Sequence, residues 1–430
     1  MKKNHIGFSV FLFFLFLAPK IPISFLHDSI PKNSSLSLGF VGIAVWMALS
    51  PQNFFLRQIK NTASTLWCLF SIYALLVSIA TWTFVPIAYS TQYAFYMVAG
   101  WLLIRGYLQH AKAHKEIDIA KKLLLICALI YALAVIISVW TGPIYPMNVL
   151  FSGRIWGGKS TVQGLGFATS SNGAGITLVF FAAIFCYVCT SSYKYLGSLI
   201  TLLALLMTIS RGAFFGFLVG TIALLGLDFL RKKMKRDAPI SLLLLVLGTG
   251  IFTSLNSHST DLIYKGYTST LYSDTFVGSS EGSSGGSSEG YSSRTQMWLN
   301  GLQVWQNNSF SEQLFGVGFH GAEEVTIDGS WNTPHNLYIS MLVDFGIVGL
   351  VLFVFALVVF LLQLCSTILR TGGTGIQRAG LVAMTGVSAH CIAGEFLYSP
   401  ALMSLVLLLI AFSTMNVQST SRSGVICGEY

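Results

Sequence analysis

Apolar runs separated by short polar stretches recur along almost the whole chain. Each is continuous rather than alternating, and long enough for a helix to cross or nearly cross a bilayer. The pattern predicts spans near 8–26, 36–50, 62–84, 87–105, 123–141, 172–190, 195–209, 212–230, 239–256, 336–364, 379–396 and 399–416, twelve in all. The fold class expected is therefore an all-α integral membrane protein. The opening Met1-Lys2-Lys3 followed by an apolar run has the form of a signal peptide. Because the run passes Pro19 towards Leu26 and eleven spans follow it, an uncleaved first helix is expected.

Polar segments of any size interrupt the pattern on one side only, at about 142–171 and 257–335. The chain thus divides into helices over 1–256, a loop over 257–335, and helices with a tail over 336–430. Within the loop, Gly278 to Gly290 contains only Gly, Ser and Glu, has no apolar surface to bury, and reads as a flexible linker. After it, Ser292 or Ser293 is placed to cap a helix near 292–306 that carries Trp298, Leu302 and Trp305 on one face. Such a helix can lie flat on a membrane surface with Arg294 in its first turn. Between the spans at 195–209 and 212–230, Ser210-Arg211-Gly212 forms a very short turn.

Composition agrees with the pattern. Hydrophobic residues make up 54% and charged residues 10% of 430, and the mean hydropathy of +0.69 excludes an ordinary soluble enzyme. The formal charge of +9 invites a nucleic-acid reading, but its distribution is that of a membrane topology. With the N- and C-termini cytoplasmic, 18 of the 25 Lys and Arg fall on the cytoplasmic side, among them the run Arg231 to Arg236. The seven cysteines lie in spans, at a span end or in the tail, so no disulfide framework is implied. Cys186 and Cys189 have CxxC spacing without a second pair, which is no basis for a metal site.

The residues that need explaining sit on the outer side. Arg211, wedged between two apolar spans, costs a few kcal/mol, on the order of 3, unless it meets an anion or water. Either a carboxylate such as Glu395 or Asp344 pairs it, or a substrate phosphate does, for which a planar fork donor is suited. Helices following Ser170-Ser171-Asn172, Ser210 and Pro334 all present their N-termini to this side, where free N–H groups and the macrodipole favour an anion. Arg294, with Arg154 and Lys159, adds full charges. His335, at the membrane surface where the polar loop meets the run from Leu337 to about Leu364, is either a helix cap or, as a neutral imidazole among cations, a general base. Asp344, inside the membrane, either orients a substrate group or packs helices. Asn336 and Trp298 complete the candidate substrate-binding set with Arg154, Lys159 and Asp344.

These features resemble the O-antigen ligase and Wzy-type polymerase superfamily of bacterial envelope glycan transferases. The resemblance rests on Ile209-Ser210-Arg211-Gly212-Ala213, Ser293-Arg294-Thr295-Gln296-Met297-Trp298, Phe315-Gly316-Val317-Gly318-Phe319, Pro334-His335-Asn336-Leu337-Tyr338, Asp344 and Gly346-Ile347-Val348-Gly349, in that order. It implies a glycan donor on undecaprenyl diphosphate in the periplasmic leaflet of the inner membrane, transferred to an acceptor hydroxyl without nucleotide sugar, cofactor or metal. In its terms Arg211 and Arg294 bind the diphosphate and His335 activates the acceptor. Arg154 in Gly153-Arg154-Ile155-Trp156-Gly157 is matched less closely, and Asp344 stands where the family often has glutamate. The resemblance also suggests a flippase and a chain-length regulator as partners, with membrane lipids and no nucleic acid.

The acceptor separates two activities, a polymerase extending another lipid-linked glycan and a ligase loading lipid A core. From 257 to 335 there are two basic and eight acidic residues, a net charge of −6. Such a surface is poor for a phosphate-rich acceptor, which leans the reading to an O-antigen or exopolysaccharide polymerase. The rival of another class is a polysaccharide transporter or flippase. Its charged groups belong near mid-membrane and its halves often repeat, whereas here the candidates sit at the rim and no repeat is seen.

Overall fold

The computed structural model describes residues 2–17, 20–22, 35–37, 39–49, 62–80, 104–108, 117–141, 166–168, 171–190, 193–233, 235–255, 293–318, 334–392, 394 and 405–411. The chain is a helical membrane protein. Among the described residues the longer helices are α1 (Lys2–Leu12, continued as a π turn over Phe13–Leu17), α2 (Gly39–Leu49), α3 (Thr62–Ala80), α4 (Ile117–Thr141), α5 (Ser171–Tyr187) and α6 (Lys194–Met207). They continue as α7 (Arg211–Leu230), α8 (Asp237–Leu255), α9 (Ser293–Asn307), α10 (Phe310–Phe315), α11 (Leu337–Thr371) and α12 (Gly375–His390). Among the described residues, three helices are long and apolar enough to cross a membrane, within α4, α7 and α11. Two boundaries differ from expectation. The first helix stops at Leu17, and Lys20–Pro22 instead pairs antiparallel with Ser35–Ser37 as a small ribbon. Arg211 and Gly212 belong to the first turn of α7, so the turn between α6 and α7 is Thr208 to Ser210.

Helix α5 is apolar all round and buried on almost every side, the mark of a central post. Against it pack α4, α6, α7 and α12. The closest pair is α7 with α12, which run antiparallel along a seam of small residues. A Cβ on Gly216 would lie 2.5 Å from the Gly386 carbonyl oxygen, and one on Gly386 2.6 Å from that of Gly216. Gly220 meets the Val382 carbonyl one turn further on. Small residues four apart let the backbones touch, which supplies the packing attraction that lipid does not. The seam ends in a buried ion pair, where Arg378 donates to both carboxylate oxygens of Asp228 at 2.8 and 2.6 Å.

The expected single span at 336–364 is instead a bent element. Gly346 has φ 64° and ψ −173°, a combination open essentially to glycine alone, and it breaks α11 into a short arm, 337–345, and a long arm, 347–371. The rings of Tyr338 and Phe353 are 6.4 Å apart, although fifteen residues of straight helix would separate them by about 22 Å. The arms therefore fold back on each other as a V. The long arm alone, about 37 Å of helix, still spans a hydrocarbon core of about 30 Å.

A break strands the carbonyls that would have bonded the next turn, and each finds a partner here. Val317 N–H donates to Val343 O at 3.3 Å and Gly318 N–H to Asp344 O at 2.8 Å. The Tyr73 hydroxyl is shared between Phe345 O at 2.9 Å and Phe315 O at 3.0 Å. Gly316, with φ 88°, lies so close to Asp344 and Phe345 that a side chain there would strike their backbone. The segment Phe315-Gly316-Val317-Gly318 thus plugs the apex of the V.

Candidate functional site

The mouth of the V meets the end of α12. Leu337 N–H donates to the carbonyls of Cys391 at 2.9 Å and Gly394 at 3.1 Å, and the Tyr338 hydroxyl donates to Ser388 O at 3.0 Å. One residue before Cys391, the His390 ring occupies the space a Cβ on Gly212 would need. The start of α11 and the start of α7 are therefore joined through neighbouring residues of one helix end. The start of α5 joins them, since the Ser210 hydroxyl donates to Asn172 Oδ1 at 3.0 Å and Gly175 packs on Ser210 and Ala213. Three helix N-termini converge, each bringing the positive end of its dipole, and at α11 the first-turn N–H groups are already taken up by Asn336, Cys391 and Gly394.

Two of the converging helices are entered through strained backbone. Among the described residues, the non-glycine residues with positive φ are Ile209 at 54°, His335 at 48° and Lys232 at 55°. Ile209 precedes Ser210, the N-cap of α7, and His335 precedes Asn336, the N-cap of α11. A β-branched residue in this conformation costs on the order of 1–3 kcal/mol, and such strain persists where the surroundings enforce it, often at a functional site.

The cap of α11 is Asn336. It is buried, and its Oδ1 accepts from Tyr338 N–H at 3.0 Å and Ile339 N–H at 3.3 Å. His335 is consequently released from capping and stands exposed just ahead of the helix. Arg211, the first residue of α7, is half-buried. Asp344 is fully buried at the end of the short arm, next to the break. Arg294 is the second residue of α9. That helix packs on the short arm of α11, where Gly301 abuts Pro334 and Ile339, and Val304 packs with Val343. Trp298, half-buried, lies one turn earlier on α9. Arg154 and Lys159, the Gly278–Gly290 linker and Glu395 fall outside the described residues.

Beneath the mouth of the V, Trp67, Tyr338, Phe353, Leu357, Met384 and Val406 surround an apolar gap of about 10 Å³, room for no more than about one water molecule. Residues 196–354 match the family described as O-antigen ligase. Over this segment the chain is similar to the O-antigen ligase family. The matched segment takes in nearly all of α6, α7 to α10 and about the first half of the V, and with them Arg211, Arg294 and His335. No curated protein matches the chain. For an O-antigen ligase-type protein the substrates are in general lipid-linked glycans, in a setting of membrane lipids. His390 is the residue that sequence reasoning missed. A histidine at the end of an apolar run carries no local sign that Gly212 is its neighbour.

Proposed function

We propose that this protein is a metal-independent, inverting glycan transferase that joins units carried on undecaprenyl diphosphate at the periplasmic face of the inner membrane. The observation that carries the reading is the convergence of the α5, α7 and α11 N-termini on one end of α12, with Arg211 opening one helix and an exposed His335 preceding another. Arg211 and Arg294 hold the diphosphate and stabilise the charge that develops as it leaves. His335 takes the proton of the acceptor hydroxyl, and inversion follows from attack opposite the leaving diphosphate. Asp344 and Trp298, with Arg154 and Lys159, line the substrate path, while the Asn336 amide oxygen serves the helix. The twelve-span topology with cytoplasmic termini places 257–335 outside, and its charge of −6 favours a lipid-linked glycan acceptor, hence a polymerase. The family's description as O-antigen ligase is the ground for a second reading, transfer to lipid A core.

Both readings are tested in a deletion strain of the native host complemented with wild type, His335→Ala or His335→Asn, with the envelope glycan read by gel and mass spectrometry. Asparagine tolerates the left-handed conformation of His335 and lacks the base, so it separates lost chemistry from lost fold. Wild type restoring a ladder of lengths where the deletion shows single units identifies a polymerase. Full-length chains left on the lipid carrier beside bare core in the deletion identify a ligase. Both His335 variants, present at wild-type levels in the membrane, are expected to leave the deletion phenotype uncorrected, and correction by either removes the general base.

A further inference from the structure

We propose that His390 is a positioning residue for this site, fixing Arg211 at the start of α7 relative to His335 at the start of α11. The inference rests on the transferase reading above. His390 is the last residue of α12 and only 4% exposed. The ring lies in the gap left by the missing Gly212 side chain, directly under the turn that begins with Arg211. The adjoining Cys391 carbonyl receives the Leu337 N–H, two residues after His335.

Sliding of α7 along α12 is blocked below this point by the Gly216–Gly386 contact and by the Asp228–Arg378 pair. What remains free is the sideways position of the α7 tip, and the imidazole is the spacer that sets it. Removing the ring lets the Arg211 turn settle towards α12. A displacement of about 1 Å at a reacting centre is enough to cost up to a hundredfold.

The test uses the full chain reconstituted in lipid vesicles with a lipid-diphosphate-linked glycan as donor, and compares KM for donor with kcat. His390→Ala is expected to raise the donor KM roughly tenfold with a smaller change in kcat, and His390→Gln, which keeps a planar polar group, to recover most of the loss. Gly212→Ala pushes against the ring and is expected to impair donor binding, and adding His390→Ala to it is expected to restore binding, because the methyl then has room. Should His390→Ala not fold, the comparison of His390→Gln with wild type and of Gly212→Ala with its double variant decides the matter. Unchanged KM and kcat in both His390 variants, or a double variant no better than Gly212→Ala, overturns the positioning role. Arg211→Ala run alongside keeps the two inferences apart. If it loses donor turnover while the His390 variants do not, only the positioning role fails, and if it is fully active the transferase site itself fails.

Discussion

Glu312 shows how one exposed side chain can hold a turn together. Its carboxylate accepts from the Ser309 hydroxyl at 2.7 Å and from the Ser309 N–H at 2.9 Å, closing a capping box at the start of α10. The bonds to Ser309, side chain first and backbone second, hold the Glu312 carboxyl below its ordinary value of 4.5. A depressed acid contributes stability that is fully present above the ordinary value and is lost as pH falls through the folded one. Because the group is solvent-screened, the contribution is only about a few tenths of a kcal/mol. In detergent, wild type should therefore melt slightly above Glu312→Gln at pH 7, with the gap closing below pH 4.5; a gap independent of pH would mean that the charge plays no part in the cap. Ser309→Ala, which removes the hydroxyl from the same box, should cost about 1 kcal/mol at neutral pH.

The bent helix α11 is where element-scale reasoning meets function, because the arm that carries His335 is held by a plug from another part of the chain. Gly346→Ala forces a side chain into a glycine-only conformation and against the Leu314 carbonyl, so a loss of about 3 kcal/mol or more is expected. Tyr73→Phe removes one shared hydroxyl from two carbonyls and should cost about 1–2 kcal/mol. Thermal inactivation of the purified variants would check both, and a Gly346→Ala protein as stable as wild type would mean that the V opens without penalty. Much of this region was legible beforehand. Pro334-His335-Asn336 leads directly into α11, and Trp298, Leu302 and Trp305 lie on a helix that begins at Ser293. The V itself was not, since the run from Leu337 onwards is apolar on both sides of Gly346, and hydropathy reports length without direction. Gly316 and Gly346 explain each other only once the chain is folded. The same is true of Asn336, whose capping role is decided by the φ of the histidine before it.

At the scale of the whole molecule, α12 acts as the ruler against which the other helices are set. Its far end carries Arg378, which the charge distribution alone assigns to topology; its partner Asp228 lies 150 residues away in sequence, beyond the reach of any local pattern. Both side chains are at most 1% exposed, so each charge depends on the other for compensation. Removing one partner leaves an uncompensated buried charge, and Asp228→Asn should cost about 3–5 kcal/mol. Replacing both by apolar residues of similar volume, as in Asp228→Leu with Arg378→Met, removes the desolvation cost along with the attraction and should return stability to within about 1 kcal/mol of wild type. The two outcomes distinguish a pair kept for stability from one kept for register. If register is its role, the double variant will be stable in detergent yet poor in glycan transfer, because α7 can then slide along the glycine seam and carry Arg211 away from His335. Full transfer activity in a stable double variant would place the control of register in the Gly216–Gly386 contact alone, and a stable Asp228→Asn protein would show that Arg378 has another route to compensation.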